Sequence, residues 1–139
     1  MGRVTTEVSI SNLGDLYDVE RGRMTADQVR RIVVPDALVD TGASTLALTP
    51  SLIGRLGLAT RFEKRIHTAA GPTTTGQYDA VRVEIMGREA TVDPIEVPEG
   101  TPILIGQIPL EAMDWVVDLG GQKLIGNPAH GGEHIIEMY

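Results

Sequence analysis

Val4, Thr6, Val8 and Ile10 fall on one side of a period-two pattern and Thr5, Glu7 and Ser9 on the other, which predicts a half-buried strand. Asn12 to Asp15 reads as a turn and Leu16 to Glu20 as a second strand, closed off at Arg21-Gly22-Arg23. Thr25-Ala26-Asp27 could cap a short helix, but the apolar run beyond it favours a strand from Val29 to Val34. Ala37 to Val39 predicts a short buried strand, and Leu46-Ala47-Leu48 another. Pro50-Ser51 opens a short helix through "SLIGRLGL". Proline suits a first helical position, and Gly54 and Gly57 keep the helix short.

Arg61 to Gly87 predicts a long hairpin with arms "RFEKRIHTA" and "GQYDAVRVEIM", linked by "AAGPTTTG". Glycine-proline followed by polar threonines supplies the turn. Glu89 to Val97 reads as a strand interrupted at Asp93-Pro94, and Pro98 to Pro102 as a loop. Ile103-Leu104-Ile105 is too short for a helix and apolar enough to be buried on both faces. A short helix is expected from Pro109 to Trp115, then strands from Trp115 to Leu119 and Gln122 to Ile125 about a Gly120-Gly121 turn. Many short strands punctuated by glycine and proline predict an all-β barrel or sandwich.

Composition narrows the function more than the fold. The 139 residues suit one domain, and 42% hydrophobic content suits a packed core. Aromatics make up only 4%, so that core must rest on aliphatic side chains. The net charge of −7 argues against nucleic acid as a partner, because phosphate binding needs clustered cations. The chain has no cysteine, which excludes disulfides and thiolate chemistry. No apolar stretch is long enough to span a membrane, and no secretory leader is visible, so a cytoplasmic protein is expected. A Met1-Gly2 start with Thr6 is too short a match to an acylation pattern to carry an argument.

One stretch carries chemistry. "ALVDTGAS" drives Asp40 out of the apolar run Ala37 to Val39 and turns at once through small residues. Gly42 lets the backbone approach closely and turn sharply, and successive N–H groups of such a turn can point at the carboxylate. Thr41 adds a hydroxyl that can bond a neighbouring chain. These flanks, the Pro-led helix ending "LGL", and the later "ILIGQIPLEAMDW" resemble the retropepsin-like (retroviral-type) aspartic proteases and their bacterial single-lobe relatives. The resemblance covers about Val33 to Ile125.

The resemblance implies a closed β-barrel acid-protease lobe with one or two short helices, spanning residues 1–126, and a C-terminal tail, 127–139. It implies that Asp40, Thr41 and Gly42 are catalytic, with Ala43 and Ser44 continuing the loop toward substrate. It implies a flap at the "AAGPTTTG" tip, Ala69 to Gly76, with Ala69, Ala70, Gly71 and Pro72 toward the substrate, and substrate pockets lined by Leu104 and Ile105. Aspartic proteases use two carboxylates that share a proton, and Asp-Thr-Gly occurs once here. Asp118-Leu119-Gly120 lacks the threonine and lies beyond the second landmark. The partner carboxylate is therefore expected from a second copy in a two-fold homodimer, acting on a peptide or protein substrate with no cofactor and no metal. Pro72 and three threonines make this flap less glycine-rich than viral ones, and Gln107 stands where many relatives place Arg or another residue that braces the dimer.

Other constellations compete poorly. His130-Gly131-Gly132-Glu133-His134 matches H-x-x-E-H, but paired glycines after Asn127-Pro128 oppose the helix that zinc ligation needs; a flexible or docked tail is the expectation. His67 has no evident partner, Ser44 lacks a nucleophile-elbow setting, and Met113 and Trp115 read as core. Two functions stand: an aspartic endopeptidase, or a protease-like fold serving as a dimerisation or peptide-binding module with little or no turnover.

Overall fold

A computed structural model of the chain describes residues 3–138; Met1 and Gly2, where the acylation pattern begins, and Tyr139 lie outside them. The alternating start forms β1 (Thr5–Asn12), with Val8 and Ile10 buried and Thr5 and Glu7 exposed. In place of the expected turn and strand, Leu13–Glu20 is a helix, α1. Asn12 caps it, its Oδ1 accepting the Asp15 N–H at 3.0 Å while its amide donates to Leu56 O at 2.8 Å. Asp15 is buried and receives Arg30 Nε and Nη2 at 2.9 Å each and the Arg30 N–H at 3.0 Å. Those Arg30 hydrogen bonds hold its carboxyl below the usual carboxylate range. A bridge between residues fifteen positions apart thus anchors α1, and no local periodicity reveals it.

After a short 3₁₀ turn at Ala26–Gln28, β2 (Arg31–Val39) runs unbroken where two strands were expected. Against β1 its register slips between Val8↔Val34 and Thr6↔Ala37. Pro35 therefore sits in a bulge, where a missing N–H breaks no ladder bond. β3 (Leu46–Leu48) is wholly buried, and the short helix opened by proline, as expected, is α2 (Pro50–Leu56), which stops two residues before the expected Leu58, with Gly57 after it in the left-handed region. β4 (Thr60–Thr68) and β5 (Gly71–Tyr78) form the hairpin. Its turn is Ala69-Ala70 alone, so Gly71 to Gly76 belong to a strand rather than to a connecting loop. Asp79 closes the hairpin base, accepting from Ala59 N at 2.9 Å and Arg61 Nε at 2.6 Å. The second arm stops there, and β6 (Val81–Ile85) leaves to pair with β1 and with β7 (Arg88–Val92).

β8 (Ile95–Glu96), β9 (Leu104–Ile105), α3 (Gln107–Ala112), β10 (Trp115–Asp118) and β11 (Lys123–Gly126) complete the order. α3 starts two residues before the expected Pro109 and stops before Trp115. The strands run β4-β5-β8-β3-β9-β2-β1-β6-β7 in one curled sheet, with β10-β11 as a separate pair. The sheet is open: no pairing among the described residues joins β4 to β7, so the expected closed barrel is instead a half-barrel lobe. Its core is aliphatic, built on Val8, Ile10, Leu46, Leu48, Leu56, Val81, Ile85, Ile105 and Leu110. β2 lies parallel to β9, and β9 antiparallel to β3. This interleaving brings the exits of β2 and β9 side by side, and Asp40 and Gly106 emerge there.

Candidate active site

Asp40 comes directly after Val39 at the end of β2 and is half-buried. Its own turn holds the carboxylate, whose Oδ1 accepts the Gly42 N–H at 2.9 Å, and closes on the backbone, where Ala43 N donates to the main-chain carbonyl of Asp40 at 3.1 Å. Among the described residues the other carboxylate oxygen receives no hydrogen bond. The neighbouring strand end secures the loop, since Asp40 N donates to Ile105 O at 3.0 Å and Gly106 N to Thr45 O at 3.0 Å.

α3 contributes as well. The first N–H groups of a helix have no partner within it. Here Gln107 N donates to Ala43 O at 2.8 Å and Ile108 N to Ser44 O at 2.9 Å. The Asp40 loop is thus the cap of α3. Gly106 is required by the fit, because a Cβ there would lie 2.6 Å from Thr45 N and O and 2.7 Å from Ala43 O.

The fold gathers some of the expected site residues and separates others. Asp40, Thr41, Gly42, Ala43 and Ser44 share one loop, with Thr41, Gly42 and Ser44 exposed and Ala43 half-buried. Leu104 is half-buried, whereas Ile105 is 1% exposed and packs in the core; in this chain Ile105 serves the loop through its carbonyl rather than as a pocket wall. Ala69 and Ala70 are the tip of the β4–β5 hairpin, exposed with Pro72, and Gly71 is half-buried. The tip is fastened internally by Thr68 Oγ1, which donates to Gly71 O at 2.9 Å and accepts from Ala70 N at 3.2 Å. Gln107 spends its side chain on Glu111 Oε1 at 2.9 Å. Asp118 stands at the end of β10, on the separate two-stranded sheet, beside the 82%-exposed Leu119.

The profile of a family described as "Aspartyl protease" matches residues 22–108, well over half of the chain. The chain belongs to the aspartyl protease family. No curated protein matches it. The segment shared with the aspartyl proteases runs from the approach to β2 through Asp40, the hairpin and Gly106, and stops as α3 begins. It contains every residue that the Asp40 loop uses for support.

Beyond the segment characteristic of aspartyl proteases lies a polar cluster whose sequence motif suggests a different chemistry. Asp114, in the left-handed region at φ 57°, receives His130 Nδ1 at 2.6 Å, Ile135 N at 3.1 Å and Asn127 Nδ2 at 3.2 Å. His130 Nε2 reaches Glu137 Oε1 at 2.9 Å, and His134 Nε2 donates to Ala112 O at 2.9 Å. The H-x-x-E-H histidines thus fasten the tail to the lobe. The His130 hydrogen bond, with those of Ile135 and Asn127, brings the Asp114 carboxyl down to about 2, and Asp114 followed by Glu137 raises His130 above its ordinary value. Arg88 adds bonds to Met113 O, Asp114 O and Gly132 O at 3.1, 2.9 and 2.6 Å, its guanidinium 3.9 Å from the Trp115 ring centre. Asn127-Pro128 starts a 3₁₀ turn, Pro128–His130, rather than a zinc-binding helix.

Proposed function

We propose that the chain is an aspartic endopeptidase whose catalytic dyad is completed by a second copy, each subunit supplying one Asp40. The observation that carries this reading is the braced Asp40 loop: a half-buried carboxylate held on one oxygen by its own turn, in a loop tied by its backbone to the end of β9 and the start of α3. Two such carboxylates about a two-fold axis share one proton, since like charges about 3 Å apart cannot both ionise. The ionised member takes a proton from water as it attacks the peptide carbonyl, and the protonated member stabilises the developing oxyanion. Thr41, exposed beside Asp40, bonds the opposing loop, and Gly42 leaves room for substrate backbone. The Ala69–Pro72 tip closes over an extended peptide and excludes water.

The test is Asp40→Asn, which keeps the shape of the side chain and the acceptor for Gly42 N–H. The variant is expected to match the parent in fold and in size by light scattering, and to lose at least ~10³-fold in peptide hydrolysis at acid pH. A variant that cleaves as fast as the parent refutes the assignment. A parent that binds extended peptides and leaves them intact between pH 3 and 7 supports the peptide-binding module instead.

A further inference from the structure

We propose that the outer edge of β4 is a docking strip that takes an acidic, extended segment of a protein substrate as an added strand. The proposal rests on the reading of the chain as a peptide-handling protein, but the strip is remote in sequence from the Asp40 loop and can be tested without catalysis.

β4 is the terminal strand of the nine and, among the described residues, pairs only with β5. One full row of its N–H and C=O groups therefore faces outward, a template for strand addition. All nine residues from Thr60 to Thr68 are exposed apart from half-buried Ile66. Phe62 is 62% exposed on the same side as Lys64 and Ile66 and offers an incoming strand an apolar contact.

Charge selects the occupant. Residues 60–78 hold three of the chain's twelve Lys and Arg but one of its nineteen Asp and Glu, for a net +2, which leaves −9 on the rest. Arg61 is satisfied by Asp79. Lys64 and Arg65 form no ion pair among the described residues, and the β5 residues opposite them are Thr75 and Thr74. Their direct cross-strand partners on the open side are still to be supplied, and acidic side chains at two successive positions of an added strand would supply them. The acidic remainder of the molecule repels such a segment everywhere else and steers it to this edge. Guarding an edge against misassembly needs charge of either sign; the excess of one sign gives the strip its preference. Pairing a second β4 antiparallel about Lys64 gives two Glu63–Arg65 pairs but sets Lys64 against its own mate, whereas an acidic segment matches both Lys64 and Arg65.

The experiment uses the full-length Asp40→Asn protein, so nothing is cleaved, and fluorescence anisotropy with labelled extended decapeptides. One carries paired Glu and Asp residues, a second replaces them with Gln and Asn, and a third repeats the acidic sequence with alternate backbone nitrogens methylated. The acidic peptide should bind about tenfold tighter than its neutral twin at low salt, a preference that screening removes at high salt. Methylation should abolish the binding, because an added strand needs those N–H groups. Lys64→Gln/Arg65→Gln should erase the preference, and Lys64→Glu/Arg65→Glu should transfer it to a lysine-bearing peptide. Equal binding of the acidic and neutral peptides, full binding of the methylated one, or a preference that survives the double substitution overturns the proposal. Self-association that the same substitutions abolish would assign the edge to a second copy and equally overturn it. Hydrolysis by the parent is scored separately, so failure of the strip and failure of the Asp40 assignment are distinguishable.

Discussion

Gly106 has an ordinary backbone conformation, and its side-chain position is occupied by the carbonyls and amide of the Asp40 loop. Gly106→Ala should push Ala43 and Thr45 away from α3 and cost about 1–3 kcal/mol of stability, read as a lower urea midpoint with unchanged slope, together with a fall in kcat. Gly54, in the exposed middle of α2 with open space where a Cβ would go, is the control: Gly54→Ala should stabilise by about 0.5–1 kcal/mol. Equal responses at the two positions would show that the close approach at Gly106 is immaterial. The residues of this loop were legible because their types are unusual together: an aspartate leaving an apolar strand, then a glycine two positions on. That Ile105 packs in the core instead of lining the pocket the resemblance implies was not, since a triplet apolar enough to be buried on both faces does not reveal which member faces a cleft.

Among the elements, the tail clamp has a distinct pH signature. His130 is held protonated above its ordinary 6.5 by Asp114 and Glu137, so its contribution is complete below that value and disappears as pH rises through the raised one. Asp114 is drawn from 3.8 to about 2, so its contribution is complete above 3.8 and disappears as pH falls toward 2. Tail docking should therefore be firmest from about pH 4 to 6.5. Hydrogen exchange at the Ile135 amide should accelerate on the alkaline side beyond its intrinsic pH dependence, and His130→Gln should remove that alkaline limb. Protection that stays flat from about pH 5 to 9 would exclude the clamp as a titrating device. Neither this clamp nor α1 was accessible to pattern reading. In α1 the periodic run is only eight residues with Gly14 in its first turn, and the decisive contacts, Asn12 to Leu56 and Asp15 to Arg30, join distant parts of the chain. β2 was read as two strands because proline usually ends pairing, and the bulge that accommodates Pro35 is set by β1.

At the scale of the whole molecule, the mainly β class was legible from the many short strands punctuated by glycine and proline, and the acid-protease lobe from family likeness, while the openness of the sheet was not. Nothing in the alternation of β4 or β7 distinguishes an edge from a seam. No helix among the described residues is long and apolar enough to cross a membrane. On the proposed reading each molecule presents half a dyad, so specific activity should rise with protein concentration toward a plateau. Adding an equal amount of Asp40→Asn chain, with time for exchange, should halve the activity of a fixed amount of parent, because only about a quarter of randomly formed pairs then carry two aspartates, about half the original number. Activity that is independent of dilution and indifferent to added variant would place the chemistry in a single copy.

Because the backbone of Ala43 to Thr45 also terminates α3 and sheathes Gly106, that segment has no slack for insertion or deletion. Diversification of such a scaffold, by evolution or in a library, is driven outward to the β4–β5 hairpin, where length and charge can change without unseating a helix.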